Sequence, residues 1–463
     1  MTIAQHLRRL AAVPSILLIA QFLPAAAGAV PGAGPAAGCA AERLRVPAAA
    51  RTVAACLPDL TTAGTVASGH TDPADYAGLD APGTVNPTGV PGTQLDGYFP
   101  DSSTTNTNHG WNHDSQFVIR LPDRWNGGLV VAGTPGFREQ YANDRTIGDY
   151  VLAKGFAYAA TDKGNTGPAA YTDGVRPGDA ILEWHARLAQ LTVAAKLVAA
   201  QRYGRLPGHT YAAGTSAGGY LVRWQLEHLP WLYDGGIDWE GLLFTPDAPN
   251  LLSTLPPALR AYPRFAAGEP GAHAAMLAAG YPAGSEPLWA VHYRTQWDLL
   301  QRVLREELDP GYDGATQAGT PFCPAGTGAG CDTDYDYASR PRAVHDAVRR
   351  VSLTGRIGRP MITVHGTLDV LVPIGSDSDR YAGMITRAGR GALHRYYRVG
   401  GGNHTDGFFG TAPDLVRPVL PCFRMAFDAT VAWVERGIAA PPSQTIDRPA
   451  GDVVNTCPAA PGR

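Results

Sequence analysis

YAAGTSAGGYLVRW, residues 211–224, is the stretch on which the reading of this chain turns. It passes from an apolar run through a serine set among glycines into a segment with helical character. Gly214, Ser216 and Gly218 form Gly-x-Ser-x-Gly, the pattern of a sharp strand-to-helix turn that holds its serine in a strained backbone conformation. Side chains two residues either side of that serine would crowd the approaching backbone, and glycine relieves the crowding. With 55 glycines in the chain, the pentapeptide alone also admits a packed small turn residue. The choice rests on whether a base and an acid occur at matching places.

A serine hydroxyl is a weak nucleophile at neutral pH and needs a base, which in turn needs an orienting acid. PMITVHGTLDVLVP (360–373) reads as a strand ending in a loop that carries Asp369. HRYYRVGGGNHTDGFF (394–409) reads as a strand followed by a glycine-rich loop that carries His404. Reactive groups of open α/β sheets gather at the carboxyl ends of strands, and all three candidates stand there. Their chain order is Ser, Asp, His.

The surrounding pattern agrees. FVIRL, LVVAG and FAYAATD are short apolar runs bounded by turn residues, as buried strands require. Residues 180–203 form the best helix: Ile181, Trp184, Leu188, Leu191, Ala195 and Val198 share one face, with Asp179 as N-cap and Gly204 as stop. HTYAAG predicts a strand, and 217–228 and 376–387 predict helices. Over 246–350 the strand rhythm gives way to helical stretches, so a helical cap inserted between two halves of one sheet is expected. The expected divisions are a signal peptide over 1–29, an N-terminal extension over 30–110 with one or two edge strands, a first core half over 111–245, the cap over 246–350, a second core half over 351–440 and a tail over 441–463.

With GTSAGG, HGTLDVLVP and GGGNHTDG in this order, the chain resembles α/β-hydrolase-fold serine hydrolases over roughly 117–436. The fold class that this implies is α/β, a mostly parallel central sheet with a helical cap. By that resemblance Ser216 attacks a carbonyl, His404 carries the proton and Asp369 holds the imidazole in its tautomer. The oxyanion hole draws on the backbone N–H of Ala217 and a second N–H from the loop GTPGFRE. Pro135 has none to offer, which leaves Thr134 and Gly136, and Thr134 aligns better with the family position. In layout the chain is similar to tannase and feruloyl-esterase enzymes. Where that family carries a linked cysteine pair, beside the nucleophile and beside the histidine, this chain has Thr215 and Thr405.

Bulk properties bound the function. Charged residues are 17% of the chain and the net charge is −3, with no basic stretch interleaved with aromatics, so nucleic acid is excluded as the expected partner. Arg8 and Arg9, an apolar stretch from Leu10 to Phe22 and small residues ending at Ala29 follow the order of a secretory signal, cleaved after Ala29. The expected product is secreted, extracellular or periplasmic, without a membrane anchor after signal removal. Six cysteines (Cys39, Cys56, Cys323, Cys331, Cys422, Cys457) suit an oxidising compartment, with neighbour pairing as the simplest connectivity among 15.

Other groups have plainer readings. His365 reads as structural, Asp406 is the nearest competitor of Asp369 as the acid but sits only two residues from His404, and His109, His113 and His185 have no assigned role. Asp332, Asp334 and Asp336 alternate like a calcium loop but lack its glycine and closing glutamate, so a solvated turn is expected. Trp289, Tyr293 and Trp297 share a helix face and serve either the core or an aromatic pocket. No metal or cofactor is called for. Two activities remain open: carboxylic-ester hydrolysis of a small or polymeric substrate, and amide cleavage by an exported peptidase or acylamidase, for which Glu306 and Glu307 could hold a substrate amine. A binding protein on the same scaffold would have a broken triad.

Overall fold

Short apolar runs that alternate between two cores create a sheet covered on both faces. In the computed structural model, which describes residues 41–100, 110–111, 113–164, 176–312, 333–449 and 451–458, ten strands form one sheet. They are β1 (Arg51–Leu57), β2 (Gly92–Phe99), β3 (Ser115–Pro122), β4 (Gly128–Gly133), β5 (Ala157–Thr161), β6 (His209–Thr215), β7 (Gly235–Trp239), β8 (Met361–Gly366), β9 (His394–Val399) and β10 (Gln444–Ile446). Their order is β1-β2-β3-β5-β4-β6-β7-β8-β9-β10. Pairing is antiparallel from β1 through β3 to β5, and parallel from β5 onward to β10. The sheet is therefore mostly parallel, as expected of an α/β hydrolase, with β1 at its edge and β2 beside it, both lying within 30–110.

The period of two is visible within β4. Leu129 and Val131 face a core shared with Leu188, Leu191 and Leu221, while Val130 and Ala132 face one shared with Phe423 and Phe427. Helices Asp179–Tyr203 and Ala217–His228 thus cover one face, and Leu420–Arg436 covers the other. The first of these begins one residue earlier than the sequence implies. Gly178, at φ 87°, occupies the N-cap and Asp179 lies in the first turn, where its charge still favours the helix dipole. Gly204, at φ 76°, ends it as expected.

Between β7 and β8 the described residues are helical: Leu251–Ala266, Ala272–Ala278, Glu286–His292, Asp298–Leu308 and Arg342–Val351. Trp289 and Trp297 settle into the core. Trp289 packs edge-on to Phe265 and Tyr281, and Trp297 donates from Nε1 to the Val370 carbonyl at 2.7 Å. Asp336 caps a short turn by accepting from Ala338 N–H, and Asp334 accepts from the Tyr312 hydroxyl; Asp332 lies outside the described residues.

Cys422 and Cys457 form the expected disulfide. Cys56 is also disulfide-bonded. Cys39, Cys323, Cys331, His109 and the whole of 1–29 fall outside the described residues. Among the described residues no helix is long and apolar enough to cross a membrane.

Candidate active site

The turn between β6 and the Ala217–His228 helix places Ser216 at φ 57° and ψ −120°, a conformation rare for any residue with a Cβ. Its glycines are required by close backbone approach. A Cβ on Gly214 would lie 2.4 Å from the Gly218 carbonyl carbon, and one on Gly218 would lie 2.1 Å from the Gly133 oxygen. The serine N–H donates to the Trp239 carbonyl at 2.9 Å, which ties the turn to β7.

Asp369 and His404 meet beyond the ends of β8 and β9. Nδ1 of His404 lies 2.8 Å from Oδ2 of Asp369, with both side chains buried. Oδ1 of Asp369 accepts the N–H groups of Leu371 and Val372, each at 2.8 Å, and His365 Nε2 stands 3.2 Å from Oδ2. Burial alone would raise this carboxyl. The charge and hydrogen bond of His404, together with His365, outweigh it and hold Asp369 well below the usual carboxylate range. Nε2 of His404 is buried without a hydrogen-bond partner among the described residues. An imidazole anchored on one nitrogen and bare on the other is equipped to take a proton.

A cavity of about 140 Å³ opens at Ser216 and Ala217. Its lining includes Phe137, Trp184, Leu242, Leu300, Leu304 and Leu371, together with Gly136 and the polar Thr295 and Gln296. A second, smaller cavity is lined by His404, Thr215, Thr405 and Leu79, so the two threonines do lie close together.

The expected oxyanion donor Thr134 needs correction. Its N–H donates to the Thr161 carbonyl at 3.3 Å, because the residue still continues the ladder between β4 and β5. The chain leaves the sheet only at Pro135 and Gly136, where Gly136 (φ 48°) reaches the cavity wall. Lys163 anchors this loop from below. Its Nζ donates to the Thr134 carbonyl at 2.9 Å and meets the Thr134 hydroxyl at 2.7 Å. Burial pushes that lysine down to about 7, against the pull of Asp162 and Glu139.

Two further groups escaped the sequence reading. Glu240, the residue after β7, is fully buried, and its Oε2 stands 3.5 Å from His404 Nδ1. Glu240, Asp369 and His404 bring ligand atoms within 4.8 Å of one another, the compass of a metal site, although His404 Nδ1 and Asp369 Oδ1 already engage protein partners. His292, from the helical segment, stacks on Phe408 with ring centroids 4.7 Å apart. Burial, with a contribution from His404, drives it from 6.5 to about 3 against the pull of Asp369.

A base whose folded pKa is depressed contributes stability that is lost as pH falls below its unfolded value. The thermal midpoint of the protein is therefore expected to fall between about pH 6.5 and 4 more steeply than that of His292→Gln. Parallel midpoint curves for the two proteins would refute this role.

Comparison with known proteins places these elements in context. A family model described as tannase and feruloyl esterase matches residues 103–238, and one described as 3HB-oligomer hydrolase matches 318–460. The first segment carries Ser216, the second Asp369 and His404. A D-(-)-3-hydroxybutyrate oligomer hydrolase from Azoarcus sp. is 38% identical over 113 residues, 23% of this chain and 16% of the relative. The protein of that name from Ralstonia pickettii is 30% identical over 132 residues, 27% of this chain and 18% of the relative. These matches span well under two thirds of the relatives' own length. In architecture, feruloyl esterase B from Aspergillus oryzae superposes with a TM-score of 0.50 at 15% identity, covering 84% of this chain and 88% of that one. The chain has the α/β-hydrolase fold, and both segments that bear its candidate site are similar to hydrolase families.

Proposed function

We propose that this protein is an exported carboxylic-ester hydrolase that works through an acyl-enzyme on Ser216. The observation that carries the reading is His404, held by Asp369 at 2.8 Å on one nitrogen and bare on the other, lining a cavity with Thr215, the residue before the strained strand-to-helix serine. In this mechanism Nε2 takes the serine proton as Oγ attacks the ester carbonyl. The same proton then goes to the leaving alcohol, and water repeats the cycle to free the acid. The N–H groups of Ala217, at the open first turn of its helix, and of Gly136 stabilise the oxyanion. The largely apolar cavity receives one side of the ester. Oligomeric or polymeric esters fit the similarity to hydroxybutyrate-oligomer hydrolases. Export agrees with the N-terminal signal pattern and with disulfides at Cys56 and Cys422.

The amide reading has less support. Glu306 pairs with Arg302 and Arg305, at 3.2 and 2.9 Å, and Glu307 accepts the Ile181 N–H, so neither is placed to hold a substrate amine. A fluorophosphonate probe followed by peptide mapping should place the label on Ser216. Matched esters and anilides of one acyl group should show the ester turned over faster. A label at another residue overturns the nucleophile, and anilide turnover equal to the ester's overturns the ester assignment.

A further inference from the structure

Glu240 is poorly explained as packing. It follows β7 at φ 53°, a left-handed conformation for a residue with a Cβ, and its N–H donates to the Val364 carbonyl at 3.0 Å. This twist carries the side chain across the end of β8. There Oε1 accepts the Gly366 N–H at 2.7 Å, a task that a glutamine would perform equally well. Oε2 has no hydrogen-bond partner among the described residues, and it stands 3.5 Å from the His404 nitrogen that Asp369 engages at 2.8 Å. A buried carboxyl oxygen left without a partner requires a reason.

We propose that Glu240 is a second acid of the site, a positioning residue that shares Nδ1 of His404 with Asp369 and can hold the imidazole when Asp369 is removed. The inference rests on reading Ser216, His404 and Asp369 as the triad. Two carboxylates facing one imidazole in a dry site repel each other, so one retains a proton while the other carries the charge. Asp369 carries it, accepting two backbone N–H groups where Glu240 accepts one. Glu240 is pushed well up, by burial first and then by Asp369. Asp406 and Asp238 add to this repulsion. His365 faces Asp369 from behind, Arg223 faces Asp238, and His292 and Tyr281 look onto Asp369 from the helical segment. Once Asp369 is gone, Glu240 can ionise and accept the Nδ1–H hydrogen bond itself.

The test uses the full chain and p-nitrophenyl butyrate, with kcat/KM followed from about pH 5.5 to 9 in Asp369→Ala and in Asp369→Ala/Glu240→Gln. Loss of the orienting acid costs about 10⁴-fold where nothing replaces it, so Asp369→Ala should lose only about 10²-fold at the alkaline end and the double variant the rest. The ratio between the two should shrink toward one at the acid end, where Glu240 is protonated. Glutamine keeps the Gly366 hydrogen bond, so a merely structural glutamate would not produce a pH-dependent ratio. Asp369→Asn with and without Glu240→Gln supplies the same comparison should the alanine variant fold poorly. A ratio of one across the range overturns the proposal. Absence of fluorophosphonate label on Ser216 in the unmodified protein would instead overturn the triad on which it rests.

Discussion

Ser216→Ala is expected to lower kcat for a short-chain activated ester by about 10⁶-fold while leaving the fold intact. The size follows from the chemistry. On the proposed mechanism no acyl-enzyme forms without Oγ, and His404 is left with only water to activate. The residual rate comes from the oxyanion donors and from binding alone. The fold should survive because alanine keeps the Cβ at φ 57° and removes only the hydroxyl, while the backbone bond to Trp239 is untouched. KM should move little, since the Leu300, Leu304 and Leu371 walls remain. Circular dichroism and steady-state kinetics on one preparation check both halves. Activity within tenfold of the parent in a folded Ser216→Ala protein would remove the serine from the mechanism.

Arg223→Met is expected to cost about 3–5 kcal/mol of stability, the largest effect of any single substitution considered outside the reacting groups. Arg223 projects from the helix that follows Ser216 and is fully buried. It donates from Nε to Asp238 and from a terminal nitrogen to Asp377, both at 2.7 Å, and to Ser378 Oγ at 2.6 Å. Methionine replaces only the aliphatic stem of the side chain and leaves two carboxylates buried without their cation. Lysine would not rescue it, because one ammonium cannot reproduce the planar fork toward two acids. A urea titration should show a lower midpoint with an unchanged slope. An unshifted midpoint would mean that Asp238 and Asp377 find other partners.

The sheet and the serine turn were legible because β4, β6 and β8 are runs of apolar residues between turn signals, and because Gly214 and Gly218 mark a close backbone approach. Asp369 and His404 were legible because each follows such a strand. What escaped notice lies where polar residues interrupt the pattern. β7 reads GGIDW, and its aspartate conceals a central strand because the partner, Arg223, lies on a different element. With β7 unread, Glu240 had no strand end to stand on. Lys163 was missed for a related reason: an isolated lysine after FAYAATD looks like a surface residue until Thr134 closes over it. Thr134 was misjudged because family position does not reveal where a ladder ends. The extension before β3 also reaches the site, since Leu79 lines a cavity with His404, and a Cβ on Gly407 would lie 2.3 Å from the Gly78 oxygen.

β10 runs parallel to β9, Gly400 N–H donates to the Ile446 carbonyl, and Arg417 clasps the carbonyls of Ile446 and Asp447. The loop carrying His404 is thus stitched to chain that lies well beyond it. A polypeptide emerging from the ribosome lays down β2 to β6, and with them the serine turn, long before the segment that braces the histidine has been synthesised. The chain past Ile446 lies back beside β9, and Cys457 is bonded to Cys422. On the proposed mechanism, an unfinished chain would therefore carry the serine turn before the segment that braces His404.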